Sequence, residues 1–191
     1  MLKVLGHAER QRWGGVYVRG LLETGGRKTA AGIAEHTSDG NVQALQQFIG
    51  QSPWPWEPAR RKLAERLTRA LQPVAAWVID DTGFPKKGTH SAGVARQYSG
   101  TLGKIGNCQI AVSLHYATDD AAVPLDFALY LPEAWLEGSH RQRVGIPKEV
   151  TFQPKWALAL ALLDWALAWE CPKALSRRTR AMAIPASFGL G

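Results

Sequence analysis

The stretch "WVIDDTGFPKKG", residues 77–88, sets two adjacent acids between an apolar run and two adjacent lysines. The run that leads into it, "VAAWVID" (74–80), is continuously apolar and of strand length, as expected for a β-strand covered on both faces. Burying a charge without a partner is costly, so the acids are expected at the strand's end, where it opens on solvent, a metal or a ligand. Neighbours on a strand point to opposite faces. Asp80 and Asp81 therefore do not readily chelate one ion together: one faces the working edge of the sheet and the other is structural or solvated.

Downstream, "TGFPKKGTHSAGVARQYSGTLGKIGN" (82–107) is broken by glycine every few residues and reads as loop, with a short strand near 94–98. "CQIAVSLHYAT" (108–118) is β-branched and aromatic and reads as a second strand. "DDAA" makes a turn, and "VPLDFALYLP" (123–132) returns as a third strand in a hairpin with the second. "WALALALLDWALAW" (156–169) is a buried helix, expected to cover the sheet with Trp156, Leu160, Leu163 and Leu167. It is shorter than the roughly 20 residues that span a bilayer, and it carries Asp164.

Upstream, residues 1–73 read as helical. "AERQRWGGVYVRGLLETGG" has helical spacing and stops at Gly25–Gly26, "KTAAGIAEHT" suits a short helix, and "SDGNVQALQQFIG" offers Ser38, Asp39 and Asn41 as caps. "SPWPW" (52–56) makes a rigid corner. A further helix starts near Pro58 and stops before Pro73, with Leu63, Leu67 and Leu71 as its apolar stripe and Arg60, Arg61, Lys62, Arg66 and Arg69 as its basic face. That face is either simply solvated or a contact for phosphates.

The chain of 191 residues carries 23 Lys and Arg against 16 Asp and Glu, a net charge of +7. This excess favours a polyanionic partner, nucleic acid being the commonest. Two cysteines, Cys108 and Cys171, build neither a disulfide framework nor a zinc site, which points to a reducing cytoplasm. The opening "MLKVLGHAERQRW" turns polar too soon for a signal peptide, so no membrane role is expected. "GFPKKGTH" fails as a phosphate loop because Thr89 stands where the phosphate-holding lysine is required. An aspartyl-phosphate enzyme wants its nucleophile and acid two apart, which Asp80 and Asp81 are not. His90, His115 and His140 share no metal-ligand spacing.

Residues 82–118 contain no Asp or Glu but do contain Lys86, Lys87, Arg96 and Lys104. An acid followed by a long acid-free basic segment suits an enzyme acting on phosphodiesters, the acid for a metal and the cations for backbone phosphates. The plain alternative is a glycine loop with incidental lysines.

The string "DDTGFPKKG…GVARQYSGTLGK…CQ", with "ALQQFIGQSPWPWEPAR" before it and "GIPKEVTFQPKWALALALLDWALAW" after it, resembles the catalytic domain of bacterial insertion-sequence transposases of the DDE superfamily. The resemblance implies an α/β (α+β) architecture: a helical N-terminal region (1–73), then an incomplete ribonuclease-H-like mixed sheet with a covering helix (74–170). It implies DNA cleavage and strand transfer with Mg²⁺ held by three carboxylates. Within that pattern Asp80 is the expected catalytic and metal-binding acid, since Thr82 follows two residues later. Asp81 is the alternative if a bulge exchanges the faces. DNA-binding residues are expected at Lys86, Lys87, Arg96, Lys104, Arg61 and Arg66.

The tail "ECPKALSRRTRAMAIPASFGLG" departs from the pattern, being basic where the family's second Asp and its Glu would follow. The expectation is a truncated or frameshifted fragment over 171–191 that is inactive alone. A different class of function also fits: a non-catalytic DNA-binding or interaction remnant, able to associate with a full-length transposase or with itself.

Overall fold

The computed structural model describes residues 2–173. They divide into two compact units, one ending at Leu63 and one beginning at Ala64.

In the first unit a 3-10 turn (Leu2–Leu5) leads into α1 (Ala8–Glu23), α2 (Ala30–His36) and α3 (Val42–Gly50). Thr29 caps α2 by accepting from the Gly32 amide, and Asn41 caps α3 by accepting from the Ala44 amide, each satisfying a donor the first turn leaves open. The three helices meet on Val16, Ile33 and Leu45, the last two fully buried. The Trp–Pro corner is held by Trp54, whose ring stacks on Phe48 at 5.8 Å and whose indole N–H donates to the Phe48 carbonyl at 3.2 Å. α4 (Trp56–Ala70) begins there and runs across the division between the units.

The second unit is a sheet of four strands: β1 (Ala76–Pro85), β2 (Ala95–Ser99), β3 (Lys104–Ala117) and β4 (Ala122–Tyr130). β3 is central. It pairs along its whole upper length with β1, and on its other edge with β2 near its start and β4 near its end. The hairpin expected between 108–118 and 123–132 is found, and β1 lies along the other edge of its first strand. Every pairing among the described residues is antiparallel.

Two boundaries differ from the sequence reading. β1 does not stop at the acids but continues to Pro85, because it is an edge strand whose outward amides need no ladder partner, so Pro85 costs no sheet bond. β3 starts at Lys104 rather than at Cys108, so the presumed loop is only 86–94 plus a turn at 100–103. Asn107 organises this region, donating to the carbonyls of Lys86 (2.8 Å) and Gly88 (3.0 Å).

One face of the sheet carries Ile79, Val112, Leu114 and Tyr116 and is covered by α6 (Lys155–Ala168), which buries Ala159, Leu162 and Ala166, with Trp169 just beyond its end. This corrects the expected contact face. Trp156, Leu160 and Leu167 are exposed, and of the four residues named above only Leu163 packs against the core. The helix is apolar on every side, so hydropathy could not orient it; the small alanines let its backbone approach the sheet. α4 joins the same core through Ala64 and Thr68, and of its leucine stripe Leu71, just past the helix end, packs against that core; Gln72 donates to the Tyr116 hydroxyl at 2.9 Å. Leu63 of that stripe is exposed and Leu67 and Leu71 are half-buried. A 3-10 turn (Glu133–Trp135) and α5 (Gly138–Val144) connect β4 to α6. No described helix is long and apolar enough to cross a membrane. The basic tail lies, from residue 174 on, outside the described residues.

Candidate active site and nucleic-acid interface

Asp80 and Asp81 lie mid-strand, opposite Ser113 and Val112 in an unbroken register. Among the described residues the sheet's one bulge falls between Leu114 and His115 against β4, so no bulge exchanges the faces of the two acids. Alternation therefore sends them apart. Asp81 points to the α6 side, where its carboxylate meets the Lys155 ammonium at 2.6 Å; its side chain is 12% exposed and that of Lys155 24%. Lys155 also lies 5.7 Å from the centre of the Tyr130 ring. Cys108 is buried close by. Desolvation pushes its thiol above the ordinary value, Lys155 pulls it down and Asp81 pushes it up.

Asp80 is exposed on the opposite, open face, one carboxylate oxygen accepting from the Asp81 amide at 2.8 Å. Behind it Ser113 donates from its hydroxyl to the Asp80 carbonyl at 3.2 Å, and His115 Nε2 sits 3.0 Å from the same hydroxyl. With Ser113 already donating, His115 Nε2 carries the proton and donates to Oγ. Ser113 is fully buried, so this pair braces β1 against β3 and offers no nucleophile. An exposed carboxylate backed by a rigid strand can hold a cation or accept a proton; the salt-bridged Asp81 is less free to do either.

The basic residues do not form one loop. Lys86 and Lys87 are exposed in the segment that Asn107 clamps, and the Lys86 amide itself donates to the Asn107 carbonyl at 2.9 Å. Arg96 is exposed on β2 opposite Asn107, and the register puts it on the open face with Asp80. Lys104 opens β3 opposite Ser99 and falls on the other face. Arg61 and Arg66 are both exposed on α4 but are separated by five positions, about 140° around a helix, so they do not make one stripe. The open face thus carries both Asp80, opposite Ser113, and Arg96, opposite Asn107 on the other edge of β3, together with exposed Phe84, Tyr98 and Phe127.

Lys155 was not singled out from sequence. A signal existed: it opens α6 directly after Pro154, where a cation is disfavoured by the helix dipole and calls for a counter-charge.

A family model described as "DDE superfamily endonuclease" matches residues 1–175. The chain belongs to this family. A curated relative, "Probable transposase for insertion sequence element IS701" from Microchaete diplosiphon, is 35% identical over 119 residues, covering 61% of this chain and 31% of the relative. The chain thus spans about a third of the length of the curated relative it matches. No solved structure matches.

DDE superfamily endonucleases are generally metal-dependent. Among the described residues, however, no three His, Cys, Asp or Glu side chains are grouped to hold a metal ion. Asp80 is a single carboxylate whose neighbour faces away to Lys155, so the described residues do not by themselves fit a resident Mg²⁺.

Proposed function

We propose that the chain serves DNA transposition as part of a DDE-type transposase, with Asp80 as the carboxylate that faces the DNA and Lys86, Lys87 and Arg96 holding its phosphates. The observation that carries this is the sorting of two adjacent acids. Asp81 is neutralised by Lys155 under α6, while Asp80 stands exposed on the face that also bears Arg96. Mg²⁺ belongs to this reading as the ion the family implies, and Asp80 alone would hold it weakly. Lys104 and the α4 arginines Arg61 and Arg66 add general attraction for the polyanion. The working compartment of such a protein is the cytoplasm, where its DNA lies.

The test is Mg²⁺-dependent nicking of supercoiled plasmid. Asp80→Ala is expected to abolish any nicking and to leave DNA binding intact or slightly tighter, since a negative charge is removed. Robust nicking that survives loss of both Asp80 and Asp81 overturns the assignment. The lack of a three-carboxylate group among the described residues favours a second reading, a DNA-binding or interaction remnant of a transposase that acts with a full-length copy or with itself. Binding without nicking under every metal condition selects that reading.

A further inference from the structure

We infer that the open face of the sheet holds an unpaired DNA strand, with Phe84, Tyr98 and Phe127 stacking its bases. This rests on the DNA-binding reading above and deepens it, because it names the form of DNA that the Asp80 face takes.

The register fixes the arrangement. Tyr98 lies opposite Ile105, Arg96 opposite Asn107, Phe84 opposite Gln109, and both Asp80 and Phe127 opposite Ser113. Those β3 positions are separated by even steps, so all of these side chains share one face. Of the acids in the four strands, only Asp80 is on it; Asp81 and Asp126 stand opposite Val112 and Leu114, on the α6 side. Lys86 and Lys87 follow Phe84 by one residue, and Gln109 then donates to the Ala92 carbonyl at 2.6 Å, which brings the segment after the lysines back along the same face. Cations thus border an aromatic surface. Arg96 and the two lysines against a single acid give a polyanion the advantage over an uncharged partner.

The rings select among polyanions. Phe84 is 44%, Tyr98 57% and Phe127 45% exposed. Aromatic side chains that take base faces, beside cations that follow the backbone, are the two parts of a single-strand platform. A base inside a duplex is stacked on both sides and has no face to offer; an unpaired base has one. By strand spacing and rise, Phe84 and Tyr98 stand about 16 Å apart. The step between stacked bases in a duplex is about 3.4 Å. The two rings therefore suit bases splayed along an extended strand. The Phe127 ring meets His115 at 6.2 Å and nearly at right angles, which fixes its pose. Asp80 and Phe127 flank Ser113 from its two sides, roughly 10 Å apart, so a base stacked on Phe127 can leave its phosphate at Asp80.

The experiment is anisotropy titration of the full chain with labelled oligo-dT of about 20 nucleotides and with a hairpin duplex of mixed sequence, each over a range of salt. Phosphate contacts alone favour the duplex, whose charge density is higher, so a preference for the single strand reports stacking. Wild type is expected to bind oligo-dT about fivefold or more tighter than the duplex. Tyr98→Ala should weaken oligo-dT binding by about fivefold or more, leave the duplex within about twofold, and leave the salt slope unchanged because no phosphate contact is lost. Tyr98→Phe keeps the ring and should stay within about twofold of wild type on both DNAs. Phe84→Ala should repeat the Tyr98→Ala loss; where circular dichroism shows that it does not fold, the two Tyr98 variants decide alone. Duplex bound as tightly as oligo-dT overturns the inference and leaves the proposed function standing. So does single-strand affinity unmoved by Tyr98→Ala, the result expected if the rings only meet a second copy of the chain. Absence of binding to either DNA overturns both. A single-strand preference that Tyr98→Ala erases and Tyr98→Phe keeps supports it.

Discussion

Lys155, the first residue of α6, places its ammonium 2.6 Å from the carboxylate of Asp81, halfway along β1 and 74 positions earlier in the chain. The bond pins the covering helix to the strand that carries the exposed Asp80, and it does so from a half-dry position, which sets its energetic scale. Exposed pairs are worth about 0–1 kcal/mol, while breaking a buried pair from one side costs about 3–5 kcal/mol. Lys155→Met is therefore expected to destabilise the protein by about 1–3 kcal/mol in urea unfolding. Lys155→Met with Asp81→Leu should recover part of that loss, since no charge is left stranded. If the single change shifts stability by less than about 0.5 kcal/mol, the pair is not the fastening described.

The thiols and Tyr116 predict a pH dependence. Burial raises Cys108 and Cys171 above their ordinary value of 9.0 and Tyr116 above 10.0; Glu65 adds to the effect on Cys171, and Gln72 opposes it on Tyr116. An unfolded chain ionises these groups first and so binds fewer protons than the native one. The stability gained by keeping them neutral is complete below about pH 9 and declines as pH rises through the raised native values. Denaturation midpoints measured from pH 8 to 10.5 should fall, and Cys171→Ala should shallow the decline. A flat or rising profile over that range would contradict the burial of these groups.

The orientation of α6 can be checked by contrast. Leu162→Ala removes a residue that is 3% exposed and should cost about 2–5 kcal/mol. Ala159→Leu forces bulk into the same contact and should cost about 1–3 kcal/mol. Leu160→Gln, at a position 52% exposed, should stay within about 0.5 kcal/mol. Equal losses at 160 and 162 would restore the face expected from sequence.

These contrasts show where the sequence was readable. "VAAWVID" announces a strand because a short apolar run flanked by breakers has few other fates. The same rule hid the strand's second half. "DTGFP" looks like a stop, yet Asp81 finds Lys155, Thr82 alternates to the open face, and an edge position tolerates Pro85. "GKIGN" likewise hid the start of β3, whose Gly106 is carried by pairing with Gln97 of β2. In α6 the apolar residues surround the helix, so its buried side is a property of the sheet below it. The pairing of Lys155 with Asp81 is tertiary and has no local trace beyond a cation at the wrong helix end.

For DNA affinity, the separation of the basic residues over two faces gives a graded expectation. Asn107 fixes the main chain on either side of Lys87, through the carbonyls of Lys86 and Gly88, so phosphate contacts from the two exposed lysines would need no reordering of the backbone. Replacing both by Ala should lower the slope of log affinity against log salt by about one to two units. Lys104→Ala, on the opposite face from Arg96, should change it less than Arg96→Ala. Equal slopes for all three variants would mean that no particular face meets the duplex.

The open face of the sheet predicts association. Phe84, Tyr98, Ile105, Phe127 and Leu129 are each more than two-fifths exposed there, and among the described residues β1 has a single hydrogen-bonded neighbour along its ten residues. Contiguous apolar surface and a long unpaired edge both favour pairing with another chain. The protein is expected to self-associate as concentration rises, with sedimentation velocity showing mass beyond 20.9 kDa. A charge at the centre of the patch should reverse this. Phe127→Lys replaces an aromatic that is 45% exposed and edge-on to His115 at 6.2 Å, so it removes stickiness at modest cost to the fold. A wild-type chain that remains a monomer with a single cooperative melt at high concentration would show that this face is adequately covered by water alone.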